Sequence, residues 1–280
     1  MVKGLTPSTI QEALHMKKLF PNAVIYAGGS DLMVAKKVCH EMLFINQLSE
    51  LKMVEEKDEY ISIGAAAIYY DLLQNPLIPK LLKAAIRDIA SPAIRNRATI
   101  GGNICNASPA GDSLPILYLY DARIVLASLD EKNQITERMI PIEKFILGVR
   151  RIDLKADEIL TKILLPKDKL VETTKVGYKK VGARKAQAIS KLLFAAVMNV
   201  EDEVVTDLRV AFGSVGVTVI RRKDMEARYI GIKHKDLLSQ IPEIIESYGS
   251  CIHPIDDQRS TAVYRKKVCL NLLGDFLSHS

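Results

Sequence analysis

Two short stretches hold residues whose types and spacing invite chemistry, AGGSDL at 27–32 and TIGGNICNASPAGD at 99–112. Each sets adjacent glycines at the end of an apolar run. Glycine lacks a Cβ and tolerates positive φ, so successive amides can converge on an anion, and a helix mouth adds its dipole. In the first stretch Ala27, Gly28, Gly29, Ser30, Asp31 and Leu32 lead into an expected helix, with Ser30 or Asp31 at its mouth. In the second, Thr99, Ile100, Gly101, Gly102 and Asn103 are expected to leave a strand and expose backbone, and Asp112 adds a carboxylate farther on. Two amide-rich turns and a carboxylate suit a ligand with a pyrophosphate and sugar hydroxyls, and a dinucleotide is the economical candidate. Neither stretch follows G-x-G-x-x-G or the Walker pattern, so the usual Rossmann and P-loop readings fail. A plain tight turn is the competing reading of each glycine pair, and Asp112 could instead cap a helix over SLPILYLY.

Other chemistries find little support. The five histidines are dispersed, and Cys39, Cys105, Cys251 and Cys269 show no CxxC spacing. No metal site and no catalytic acid, base or nucleophile is therefore assigned to this chain. The net charge is +6, but the basic residues fall in short clusters, YKKVGARK, IRRK and YRKK, rather than one stripe. With no Trp and 6% aromatic residues, a nucleic-acid surface is disfavoured. No run approaches the ~18 apolar residues of a membrane span, and the N-terminus lacks the apolar core of a signal peptide. A soluble, reduced, cytoplasmic protein is the expectation.

The elements that must position these stretches alternate in the first half. Helices are expected over TPSTIQEALHMKKL and SDLMVAKK, with strands at AVIYAGG, LFINQL and YISIGAAA. IPKLLKAAIRDIA puts Leu81, Leu82, Ala85, Ile86 and Ile89 on one helical face. LPILYLYDARIVLAS runs from a helical turn into a strand from Ala122, and DEILTKILLP is a further strand. Beyond a boundary near residue 168, two long strands, AISKLLFAAVMNV and VVTDLRVAFGSVG, precede two amphipathic helices, HKDLLSQIPEIIESY and TAVYRKKVCLNLLGDFL.

AGGSDL and TIGGNICNASPAGD resemble the paired flavin-binding motifs of the FAD subunit of the molybdenum hydroxylases, the xanthine dehydrogenase and aerobic carbon monoxide dehydrogenase family. DEILTKILLP and YKKVGARKAQAIS resemble that family's later flavin-contacting strand and its lysine-bearing strand. The resemblance implies an α+β chain with a two-lobed FAD-binding fold of the vanillyl-alcohol-oxidase type over 1–167, the lobes covering about 1–55 and 56–167. A smaller α+β C-terminal domain follows over 168–280. It also implies that Ala27 to Leu32 cradle the pyrophosphate and that Thr99, Ile100, Gly101, Gly102 and Asn103 line its other side. Asp112 would take sugar or ribityl hydroxyls, Leu160 would lie on the flavin-contacting strand, and Lys180 would sit in the flavin site. Two departures stand out. Xanthine-oxidising members have an aromatic residue where this chain has Ile89, and Cys105 falls where a branched apolar residue often faces the flavin ring.

The function implied is an electron-transfer subunit with non-covalent FAD, since no His lies in either stretch. Its expected partners are a molybdopterin-binding large subunit and a [2Fe–2S] small subunit, which carry those cofactors, with NAD or another acceptor taking the electrons. A self-sufficient flavin oxidoreductase and a basic nucleic-acid-binding module are the alternatives.

Overall fold

A computed structural model describes residues 3–35, 40–170 and 175–278. Lys36 and Lys37, the end of the helix expected over SDLMVAKK, lie outside the described residues, as does Cys39. The chain opens with β1 (Lys3–Leu5), α1 (Ile10–Leu19), β2 (Val24–Tyr26), α2 (Ser30–Ala35), β3 (Glu41–Phe44), β4 (Val54–Glu56), β5 (Tyr60–Gly64) and α3 (Tyr69–Gln74). Four helices follow, α4 (Lys80–Asp88), α5 (Pro92–Arg95), α6 (Ile100–Asn106) and α7 (Leu114–Leu119). Next come β6 (Arg123–Leu129), β7 (Ile135–Pro141), α8 (Ile142–Phe145), β8 (Ile146–Gly148), β9 (Arg151–Ile152) and β10 (Ile159–Pro166). The last part holds β11 (Lys175–Val181), β12 (Leu192–Glu201), β13 (Val204–Gly213), β14 (Ile220–Arg221), α9 (Lys223–Glu226), α10 (His234–Ser239), α11 (Ile241–Gly249) and α12 (Ala262–Ser278).

These elements form an α+β chain of two compact units whose segments interleave. The first unit comprises residues 1–79, 90–107 and 121–169, and the second comprises 80–89, 108–120 and 170–280. The first contains a parallel sheet ordered β1-β3-β2 and an antiparallel sheet ordered β4-β5-β10-β6-β7. Helix α1 starts where Thr9, in extended backbone, accepts the Glu12 amide on its hydroxyl, and it buries Ala13 and Leu14. Those two pack with Leu5, Leu43, Ala127 and Ile159, so one core joins both sheets of this unit.

The second unit is built on the antiparallel sheet β11-β12-β13-β14. Phe194, Ala196, Met198, Val210 and Phe212 share a core with Tyr248, Leu273 and Phe276 of α11 and α12. Alternation turns the intervening positions to the other face. There α7, whose six residues are all buried, packs on β12 and β13, and Gly213 approaches Pro115. That double cover explains why β12 reads as a continuous apolar run instead of alternating.

Three expectations need correction. The stretch opening ATIGG is no strand but enters α6, because Thr99 caps the helix and Ile100 and Ile104, four apart, are both fully buried. HKDLLSQIPEIIESY forms two helices, divided at Gln240 by Pro242 in the first turn of α11. The strand expected over LFINQL lies earlier, at Glu41–Phe44, and Ile45 and Leu48 beyond it are buried in the core.

Candidate functional site

The first glycine turn leaves the C-terminal end of β2, at the edge of the parallel sheet, and enters α2. Gly29 has φ +71, where a side chain would also meet the Tyr26 ring at 2.4 Å. Gly28 has ordinary backbone but no room, since a Cβ would lie 2.0 Å from the Arg97 carbonyl oxygen. The turn therefore rests on the residues just before α6, and the Arg97 guanidinium donates to the Tyr26 hydroxyl at 3.0 Å. Met33 donates to the Gly29 carbonyl at 3.0 Å, but the five amides from Gly28 to Leu32 have no backbone acceptor among the described residues. Such orphan donors at a helix start are what an anion needs.

The second stretch differs. Ile100 donates to Ala67 O at 3.1 Å, Gly101 to Ala65 O at 2.9 Å, and Asn103 to Thr99 O at 3.1 Å. The Gly102 amide goes to the Thr99 hydroxyl at 3.1 Å. Positive φ is found at neither Gly101 nor Gly102, so the conformational freedom expected there is unused. Gly101 is instead a packing glycine, with Ala65 O and Cβ at 2.6 and 2.7 Å from the site of an added Cβ. Gly102 is exposed, and its added Cβ would meet only the Thr99 hydroxyl, at 2.9 Å. Cys105 lies on the same helix, and burial pushes its thiol up to about 12, which keeps it protonated at neutral pH. Leu160 is buried in β10 opposite Leu126, with a bulge between it and Lys162.

Asp112 and Lys180 belong to the second unit and meet each other. The Lys180 ammonium lies 2.7 Å from Asp112 Oδ2 and donates to Asp88 O at 2.7 Å, while Ser190 donates its hydroxyl to Asp112 Oδ1. Tyr178 donates to the Asp88 carboxylate at 3.0 Å. Burial pushes the Asp112 carboxyl up against the pull of the Lys180 ammonium and the Ser190 hydroxyl. Asp112 caps no helix, for Ser113 is the cap residue of α7 and makes no side-chain cap bond. Sequence reasoning singled out neither Asp88 nor Ser190, although Ser190 ends the segment YKKVGARKAQAIS, and both lie far from Asp112 in the chain.

Sequence reasoning also missed Arg150. It occupies the turn between β8 and β9 at φ +55, and its guanidinium reaches Asn106 Oδ1 at 2.7 Å and Asp31 Oδ2 at 3.4 Å. Among the described residues no cluster of three or more His, Cys, Asp or Glu could hold a metal ion, and no helix is long and apolar enough to cross a membrane.

Comparison with known proteins bears on this arrangement. Residues 1–168 match the FAD binding domain in molybdopterin dehydrogenase, and residues 177–280 match the CO dehydrogenase flavoprotein C-terminal domain. The chain belongs to this FAD-binding subunit family of the molybdenum hydroxylases. It is 31% identical to the glyceraldehyde dehydrogenase medium chain of Sulfolobus acidocaldarius, covering 93% of this chain and 91% of the relative. It is 31% identical to the nicotinate dehydrogenase FAD-subunit of Eubacterium barkeri, covering 80% and 78%. The fold matches a carbon monoxide dehydrogenase structure from Hydrogenophaga pseudoflava with a TM-score of 0.85, at 24% identity and covering 99% of this chain and 96% of that one. The first turn fits the FAD that the family implies, since it offers five acceptor-free amides around a positive-φ glycine. A protonated Cys105 and stretches without histidine fit a cofactor held without a covalent bond.

Proposed function

We propose that this chain is the electron-transferring subunit of a hetero-oligomeric molybdenum hydroxylase. It would take electrons from a [2Fe–2S] partner subunit, itself supplied by a molybdopterin-binding large subunit, and hand them to NAD⁺ or another acceptor. Support comes from relatives named as medium chain and FAD-subunit of dehydrogenases. The observation that carries the reading is the run of acceptor-free amides from Gly28 to Leu32 inside the part matched by the FAD-binding family.

In this reading Ala27 to Leu32 hold the diphosphate by backbone donors and the dipole of α2. Thr99 fixes the start of α6, Ile100 anchors it, Gly101 lets it pack on Ala65, and the exposed Gly102 and half-buried Asn103 leave room for the ligand. Leu160 supplies apolar surface. Asp112 and Lys180 act as a neutral pair, so the lysine's charge is largely spent on the aspartate. Bound FAD would supply the redox chemistry, exchanging one or two electrons, while the chain supplies binding and orientation. The three free thiols among the described residues suit a reducing, cytoplasmic setting.

Cofactor released by heat from the purified chain should chromatograph as FAD, and FMN alone or no flavin would sink the reading. The isolated chain should oxidise no aldehyde or heteroaromatic substrate. Adding the iron–sulfur and molybdenum subunits should allow substrate to bleach the flavin band at ~450 nm under anaerobic conditions. Turnover of an organic substrate by the chain alone would favour a self-sufficient oxidoreductase.

A further inference from the structure

One side chain beside the first turn has no role in that account. Arg150 lies in neither glycine stretch, yet it touches both. Its amide donates to Ala107 O at 3.0 Å, and Ala107 is the left-handed cap of α6 at φ +44. Its guanidinium bridges Asn106, the last residue of α6, to Asp31 in the first turn of α2. Arg150 itself stands at φ +55, a conformation a side chain adopts only at a cost, and one that persists where the surroundings demand it.

The bridge adds little to folding, because its two side chains are 55% and 52% exposed. Its use must lie elsewhere. Asp31 places a negative charge among the acceptor-free amides of residues 28–32. An anion held by those amides would meet a like charge as its neighbour, which weakens binding unless the carboxylate is neutralised.

We infer that Arg150 is a positioning residue for the diphosphate of FAD, neutralising Asp31 and drawing its carboxylate aside from the amides of the first turn. This rests on the FAD reading of that turn. The full-length chain, stripped of flavin, is titrated with FAD and followed by flavin fluorescence, with the Tm of each apo protein measured alongside. Arg150→Met should raise the Kd about tenfold at low salt, a gap that narrows as salt screens the repulsion, with apo Tm unmoved, while Arg150→Lys keeps most of the affinity. Adding Asp31→Asn to Arg150→Met should return the Kd to within about threefold of the parent, because the charge that Arg150 masks is gone. Parental affinity in Arg150→Met overturns the inference and leaves the FAD reading intact. A double variant as weak as Arg150→Met overturns it too, since Arg150 would then touch the ligand directly. Failure of the parent chain to bind FAD at all overturns the FAD reading and this inference with it.

Discussion

The two glycine stretches are spelled alike and built to opposite ends. From Gly28 to Leu32 five consecutive amides meet no acceptor among the described residues, whereas the amides of Ile100, Gly101, Gly102 and Asn103 are all bonded to the protein's own oxygens. At the end of the second stretch, Asp112 is likewise bonded to the protein, by Lys180 and Ser190. A paired glycine can thus serve to release donors or to let backbone approach backbone. Gly29 does the first through its positive φ, and Gly101 does the second against Ala65. The difference teaches that, among the described residues, the first stretch keeps its donors free for an anion while the second spends its own on the fold.

Substitutions can break this contrast at graded cost. The largest effect is expected from Lys180→Met, which strands the Asp112 carboxylate in the interior and should destabilise the chain by about 3–5 kcal/mol in urea unfolding. Adding Asp112→Asn should recover much of that loss, and a single variant as stable as the parent would show the pair to be dispensable. Gly28→Val drives a side chain into the Arg97 carbonyl and should cost about 3 kcal/mol along with FAD retention, read by Tm and by flavin content. Thr99→Val removes the cap of α6 for about 1 kcal/mol of stability and orphans the Gly102 amide. Gly102→Val should leave Tm within about 2 °C, as helix propensity gains what a small clash with Thr99 loses, yet it should weaken FAD. Unchanged affinity there would mean that the ligand does not approach the second stretch. The smallest effect concerns Cys105, whose raised pKa leaves almost no thiolate below about pH 10. Site-resolved mass spectrometry at pH 8 should find it unalkylated in the native chain and labelled after unfolding.

Much of this architecture was legible from residue order. Helices α1 and α4 announce themselves through a Thr cap and through Leu81, Leu82, Ala85 and Ile86 on one face, all four buried as the spacing demands. Helix α6 was misread because two adjacent glycines oppose helix propensity, and packing on Ala65 overrides that penalty. The Ile100 and Ile104 spacing was the signal that would have found it. Asp112 and Lys180 were legible as functional candidates, but their mutual pairing was not, since it depends on β11 folding against the loop before α7, 68 residues away in the chain. Arg150 was invisible for a related reason. An arginine in a hairpin turn has no local signature, and only the fold brings it to Asp31.

The interleaving of the two units sets a schedule for synthesis. Helices α4 and α7 leave the ribosome long before β12 and β13, the strands against which α7 is packed. At roughly 5–20 residues per second that wait lasts several seconds, with the apolar surface of Leu114, Ile116, Leu117 and Leu119 uncovered on the growing chain. A fragment cut near residue 168 would keep that surface bare for good, so an FAD-binding half expressed alone should aggregate unless the strands that follow are supplied with it.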